Sequence, residues 1–157
     1  MSPQEESEFK LYGCVSRCII RASELAGSPI SRDDFAVKYS SLFPSGQFGL
    51  LSVDDLCIIV KDLCLAHSVS AVRRLEAVKP LLQTSEAWRA FVLTDSLGDG
   101  SPLFHCRLAL GLGSTLGNPA DEAINLFSPM QDGSDHELWA SIPQLESEFY
   151  HFLIAQP

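Results

Sequence analysis

The sequence predicts an α+β fold, with helices in the first part of the chain and an antiparallel sheet built from the second. Apolar residues recur with a helical period in the N-terminal part, whereas the C-terminal part contains short apolar runs of strand length. A regular alternation of strands and helices is the pattern of a parallel sheet, and these runs do not show it. The length of 157 residues, without a repeat or a linker, indicates a single domain, residues 1–157.

The first predicted helix begins at Cys14 and is expected to be central to the fold. Its apolar positions follow the spacing of an amphipathic helix. They are Val15, Cys18, Ile19, Ala22, Leu25 and Ala26. Gly27 ends this stripe as a C-cap, and Pro29 prevents the helix from continuing. Residues 1–10 are polar and acidic, and we expect them to form a loose or edge segment.

Two further helices are predicted from their N-caps. Ser31 and Ser52 each precede a pair of aspartates, and a serine cap with an acidic first turn favours the start of a helix. The inner faces are formed by Phe35, Tyr39 and Leu42 in the second helix and by Leu56, Ile59, Val60 and Leu63 in the third.

The C-terminal part predicts strands over residues 68–72, 88–94, 103–112, 122–127 and 149–155. A short helix over residues 75–83, interrupted by Pro80, and a capped turn at residues 141–144 accompany them. Glycine, proline and polar residues predict a turn over 95–102 and loops over 113–121 and 128–137.

Charge and composition restrict the classes of partner. The formal net charge is −9, from 11 basic and 20 acidic residues, and this argues against binding to nucleic-acid phosphates. Protein, peptide or small-molecule partners are expected instead. No apolar run reaches the roughly 20 residues that cross a bilayer, and the acidic N-terminus is unlike a signal peptide. We therefore expect a cytoplasmic protein without membrane insertion, while delivery as a secreted effector stays open.

Five cysteines form an odd set without a CxxC pair, so we expect reduced thiols. Cys14 differs from the others because it opens a predicted helix, where the unpaired N–H groups and the helix dipole favour a thiolate. Cys18 lies one turn further on the apolar stripe and is expected in the core.

Three motifs in order carry a resemblance to a known family. Cys14 opens a helix, His105 opens the second strand of a predicted hairpin, and a later strand ends in Ser128-Pro129 before Trp139 and a last strand. This order resembles the papain-like cysteine peptidases in their compact bacterial form, such as the double-glycine peptidase domains fused to bacteriocin exporters.

The resemblance implies a papain-like fold, in which an N-terminal helical layer packs on a C-terminal antiparallel sheet. It also implies a cysteine peptidase, or a related thiol acyl-transfer enzyme, that cleaves a peptide or amide bond without a cofactor. Cys14 is then the nucleophile and His105 the general base. Ser128 stands where the family has the acid that orients the histidine, and Asp132 and Asn125 are the other candidates for that role.

Of three departures from the family pattern, the missing glutamine and the serine at the acid position motivate an alternative function. The glutamine that donates to the oxyanion has no counterpart at its usual spacing, where Glu8 lies instead and Gln4 is further away. A carboxylate donates a hydrogen bond only when it is protonated. Ser128 carries no charge, and Phe104 replaces a frequent glycine. The alternative is a catalytically degenerate papain-like domain that binds a protein or peptide partner without cleavage.

Metal and nucleotide sites are not expected. Cys14 and Cys18 lack the close cysteine pairs of zinc sites, and the acidic residues 132–137 lack the spacing of a calcium loop. The glycines of residues 111–117 do not form a phosphate loop. We expect structural or solvated roles for His67, His136 and His151.

Overall fold

The computed structural model describes residues 1–94, 104–114, 122–148 and 150–157. Within these ranges the helices are α1 (Pro3–Tyr12), α2 (Cys14–Leu25), α3 (Arg32–Lys38), α4 (Val53–Asp62), α5 (Leu75–Leu82) and α6 (Ile142–Ser147). The strands are β1 (Ser68–Val72), β2 (Ala90–Thr94), β3 (His105–Ser114), β4 (Glu122–Pro129), β5 (Asp135–Ser141) and β6 (His151–Gln156). The predicted α+β class is confirmed.

The strands form one antiparallel sheet in the order β1-β6-β2-β3-β4-β5. Strand β3 lies inside the sheet, where Leu108 pairs with Phe91 of β2 and Phe127 of β4. None of the helices in the described ranges has the length and apolar character needed to span a membrane.

Each face of the sheet carries a hydrophobic core. Because successive side chains of a strand point to opposite faces, β2 contributes Phe91 and Leu93 to one core and Ala90 and Val92 to the other. The first core is completed by α2, α3 and α4, as the predicted inner faces require. The second is completed by α5 and α6, so helices cover both faces of the sheet.

The prediction of a loose segment over residues 1–10 is wrong, because this region forms α1. Ser2 accepts a hydrogen bond from the Glu5 backbone, and the Glu5 side chain accepts one from the Ser2 backbone. This capping box, with Pro3 in the first turn, starts the helix. Phe9 fixes the helix to the core, since its side chain is fully buried.

The prediction of a polar loop over residues 128–137 is also wrong. Strand β4 runs on through Ser128 to Pro129, which pairs with Asp135 at the start of β5. Only residues 130–134 form the turn, in which Gly133 adopts a positive φ of 89°. Polar residues continue into β5 because it is an edge strand and exposes them to water.

The other boundaries differ less. Helix α2 begins at Cys14 and β1 spans residues 68–72, as predicted. The predicted strand over 88–94 begins as a 3-10 turn, Ala87–Arg89, and the predicted turn at 141–144 extends into α6. The strand predicted over 103–112 runs on to Ser114, whereas residues 95–103, 115–121 and 149 lie outside the described ranges.

Candidate functional site

The start of α2 is fixed by a close contact with α1. Gly13 is both the C-cap of α1 and the N-cap of α2. It donates its backbone N–H to the Phe9 carbonyl oxygen of α1 at 2.9 Å. A Cβ atom on Gly13 would lie 2.2 Å from that oxygen, so only glycine fits here. The junction places Cys14 on the first turn of an amphipathic helix whose apolar face packs on the sheet.

The first turns of α2 lie against the beginning of β3. The Cys18 thiol donates a hydrogen bond to the Cys106 carbonyl oxygen at 3.4 Å. The Cys106 backbone N–H also acts on the Cys14 thiol, whose pKa it lowers in part. Because His105 directly precedes Cys106, the predicted nucleophile and the predicted base lie in the same corner of the fold.

The Cys14 thiol is held in its neutral form. Burial raises its pKa from 9.0 to about 11, and the neighbouring Cys106 thiol acts in the same direction. The backbone N–H groups of Cys106 and Val15 and the charge of Arg17 lower the pKa by less. The thiolate expected from the helix start is therefore outweighed by desolvation.

His105 contacts Ser128, the residue that the resemblance suggests as the orienting group. Its Nε2 atom lies 3.3 Å from the Oγ of Ser128, which is fully buried on β4. The pKa of His105 is lowered from 6.5 to about 4, chiefly by burial and then by the nearby charge of Arg107, whereas Glu148 acts in the opposite direction. The imidazole is thus neutral at neutral pH.

Asp132 and Asn125, the other candidates for the group that orients the histidine, have different partners in the structure. The Asp132 carboxylate accepts hydrogen bonds from the backbone and hydroxyl of Ser134, and Asn125 pairs with Trp139 further along β4. Among the residues that the structure describes, no hydrogen bond joins the Cys14 Sγ to the His105 ring.

Glu8 and Gln4, the residues nearest the sequence position where an oxyanion donor is expected, are hydrogen-bonded to each other. One carboxylate oxygen of Glu8 accepts the Phe48 backbone N–H at 3.0 Å, and the other accepts the Gln4 amide at 3.0 Å. Glu8 therefore ties α1 to the loop at Phe48. A carboxylate in this role offers only acceptor atoms, whereas the resemblance leads to the expectation of a donor near this sequence position.

Arg17 is a buried charge that the sequence predictions missed. The side chain is 4% exposed and donates to the carbonyl oxygens of Met130 at 2.7 Å and Ser134 at 2.6 Å, and also to the Asp135 carboxylate. Its Nε atom is buried without a partner in the described residues. Its position beside the apolar residues of a central helix was the sequence signal that could have indicated a buried, paired arginine.

A cavity of about 410 Å³ lies beside α2, next to this arginine. Arg17, Ile20 and Arg21 of α2 form one side, and Arg32 at the start of α3 and Phe127 of β4 form others. Neither Cys14 nor His105 lines it. No local sequence pattern predicts this cavity, because its walls come from separate elements.

Cys18 lies in the core as expected, since its side chain is fully buried, and all five cysteines are free thiols. His136 is exposed, and its Nε2 atom lies 3.0 Å from the Ser134 hydroxyl. Within the described parts of the chain, no group of three or more histidine, cysteine or acidic side chains is arranged to hold a metal ion.

We expect iodoacetamide to label Cys14 slowly at neutral pH, because alkylation requires the thiolate and burial keeps this thiol protonated. The exposed Cys64 is an internal reference. Peptide mapping by mass spectrometry after timed labelling should find Cys64 modified first, with labelling of Cys14 accelerating as the pH approaches about 11. Labelling of Cys14 ahead of Cys64 at neutral pH would contradict this expectation.

A pH dependence of stability is expected from His105. The unfolded chain takes up a proton on this residue near pH 6.5, whereas the folded chain does so near pH 4. Its contribution is therefore complete above pH 6.5 and decreases as the pH falls toward 4. His105→Gln should reduce the acid-induced loss of unfolding free energy by about 2 kcal/mol, measured by urea denaturation.

His136→Gln provides the control for this experiment, because His136 is exposed, and it should alter the acid-induced loss of unfolding free energy less than His105→Gln does. His151, whose pKa is also lowered by burial, is present in all three proteins and cancels in the comparison. If His105→Gln loses as much stability on acidification as the wild type does, the buried neutral imidazole is ruled out.

Comparison with known proteins gives no relative. No protein-family model, no curated protein and no solved structure matches the chain.

Proposed function

We propose that the chain is a papain-like domain that binds a peptide or protein partner without cutting it. The observation that carries this proposal is the pair of hydrogen bonds that the Glu8 carboxylate accepts. Its carboxylate accepts the Phe48 N–H and the Gln4 amide, so the expected oxyanion donor is replaced by a group that only accepts hydrogen bonds. Removing a single oxyanion donor typically lowers turnover by about 10²–10³-fold.

The protonation states of the two residues, a neutral Cys14 thiol and a neutral His105 imidazole, support the same proposal. Attack on a carbonyl requires the proton to leave the sulfur for the imidazole. A thiol with a pKa of about 11 and an imidazole with a pKa of about 4 oppose this transfer. Free thiols throughout the chain fit a reducing compartment, and we keep the cytoplasm as the proposed location.

The test compares wild type with Cys14→Ala in two assays. Both proteins are incubated with a library of tryptic peptides, and mass spectrometry should detect no cleavage that depends on Cys14. Peptides selected by phage display on the immobilised wild type should bind Cys14→Ala with unchanged affinity. Products formed only by the wild type would reject the proposal, as would loss of binding in a folded Cys14→Ala protein.

Peptide-bond cleavage by Cys14 and His105 is the second candidate, and the contact between His105 and Ser128 favours it. Ser128 lies against Nε2, so the remaining ring nitrogen, Nδ1, is the one left to take a proton from the thiol. Ser128 takes the orienting role in this mechanism. Faster alkylation of Cys14 than of free cysteine at about pH 6 would favour cleavage over binding alone, since a resting thiolate is what such a site needs.

A further inference from the structure

The cavity beside α2 concentrates positive charge in an acidic chain. The whole chain has only 11 basic residues and a net charge of −9, yet three arginines line this one cavity, Arg17, Arg21 and Arg32. Two acidic residues line it as well, Glu24 and Asp135. The lining therefore has a positive balance, opposite in sign to that of the molecule.

Two of the arginines have donors to spare. Arg21 donates from Nη1 to Glu24 at 2.8 Å, and Arg32 donates from Nη1 to Glu6 at 2.7 Å. Within the described residues these are the only hydrogen bonds of the two guanidinium groups, and each group carries five N–H donors. Both side chains are about one-third exposed, at 34% and 32%, so a ligand in water can reach them.

Arg32 and Arg17 are also held in place. The Arg32 guanidinium stacks over the Phe9 ring, with its central carbon 4.7 Å from the ring centroid. Arg17 lies behind the surface, and its contacts with the turn between β4 and β5 fix that wall of the cavity. A planar guanidinium that is fixed in this way can bind a carboxylate through two parallel hydrogen bonds.

Three large apolar side chains also line the cavity, beside Ser31 and Gly133. Ile20, Ile30 and Phe127 lie in the same cavity as the arginines. Its volume of about 410 Å³ lies within the range of small-molecule and peptide side-chain pockets. An apolar wall beside fixed donors matches a ligand that carries an apolar group next to a negative charge.

We propose that this cavity binds a carboxylate of a peptide, with an adjacent apolar side chain against Ile20, Ile30 and Phe127. Arg21 and Arg32 are the direct donors. The carboxylate comes either from the peptide's C-terminus or from an acidic side chain. The proposal rests on the proposed function in taking the ligand to be a peptide, and it adds the chemical class that the domain recognises.

Three fluorescein-labelled hexapeptides test it by fluorescence anisotropy. The first ends in Phe-Ala with a free carboxylate, the second is its C-terminal amide, and the third is an amide with an internal Phe-Glu. We expect the first or the third to bind at least about tenfold more tightly than the second, since a charged hydrogen bond contributes roughly 1.5–3 kcal/mol. The tighter of the two identifies the source of the carboxylate. Equal binding of all three, or no binding of any, would overturn the proposal.

Variants of the full chain test the residues. Arg21→Gln and Arg32→Gln should each weaken binding of the tighter carboxylate-bearing peptide, the first or the third, by about tenfold. Binding of the second peptide, which lacks the carboxylate, should not change. Arg73→Gln is the matched control, because Arg73 is exposed and does not line the cavity. Unchanged binding in the double variant would reject the site.

All titrations are repeated in Cys14→Ala, which separates this proposal from the proposed function. Carboxylate-selective binding in that variant supports the cavity whether or not Cys14 cleaves peptides. Cleavage by the wild type, with selective binding retained in Cys14→Ala, would reject the non-cleaving function and leave the cavity site intact.

Discussion

Gly13→Ala should lower the free energy of unfolding by about 4 kcal/mol, the largest effect that we expect from a methyl group added to any glycine that the structure describes. The new Cβ atom would lie 2.2 Å from the Phe9 carbonyl oxygen and 3.3 Å from its carbonyl carbon. Both are backbone atoms of the last turn of α1, which Gly13 caps, so relief requires the backbone at the α1–α2 junction to change its conformation. The variant should also shift the start of α2, where Cys14 lies.

Gly111 provides the matched control for this substitution. A Cβ atom there would have its nearest neighbour, the Leu82 carbonyl oxygen, at 4.0 Å. Gly111→Ala should therefore change the unfolding free energy by about 1 kcal/mol or less. Urea denaturation followed by circular dichroism measures both variants. An equal, small effect of the two substitutions would show that α1 does not press on Gly13 as described.

Arg17→Met should lower the free energy of unfolding by about 3 kcal/mol. Methionine keeps an apolar stem in the buried position but removes the donors to the carbonyl oxygens of Met130 and Ser134. The pairing with the half-exposed Asp135 is lost as well. The turn between β4 and β5 then loses its attachment to α2, and hydrogen exchange should increase there.

Arg21→Met is the control on the same helix. Arg21 is partly exposed and pairs with Glu24 on the surface, so its removal should change stability by no more than about 0.5 kcal/mol. Arg17→Lys should recover only part of the loss, because one ammonium group lacks the fork that reaches several acceptors. Similar denaturation midpoints for Arg17→Met and Arg21→Met would contradict the anchoring role of Arg17.

Local signals were sufficient where the chain follows a single strong pattern. The apolar stripe after Cys14 predicted α2, and the serine caps at Ser31 and Ser52 predicted α3 and α4. The same signal was overlooked at Ser2, where the capping box lies within a polar sequence that has almost no apolar stripe. A cap therefore started a helix in a segment where hydrophobic periodicity was weak.

Tertiary contacts decided the features that the sequence did not predict. Residues 128–129 and 135–137 look like a loop because they are polar, yet pairing of β4 with the edge strand β5 extends both strands. Cys14 begins a helix as predicted, but burial in the folded chain raises its pKa, and the Cys106 thiol acts in the same direction. His105 and Ser128 meet because β3 pairs with β4, whereas the cavity arginines come from α2 and α3 and share no motif.

Strand β2 ties the two sides of the molecule into one cooperative unit. It lies between β3 and β6, and its alternate side chains belong to both cores, Phe91 and Leu93 to one and Ala90 and Val92 to the other. Separating either helical layer from the sheet exposes apolar surface of a strand that the other layer also needs. Local opening around Cys14 is consequently opposed by packing on the far side of the sheet, and a single unfolding transition follows from this shared strand.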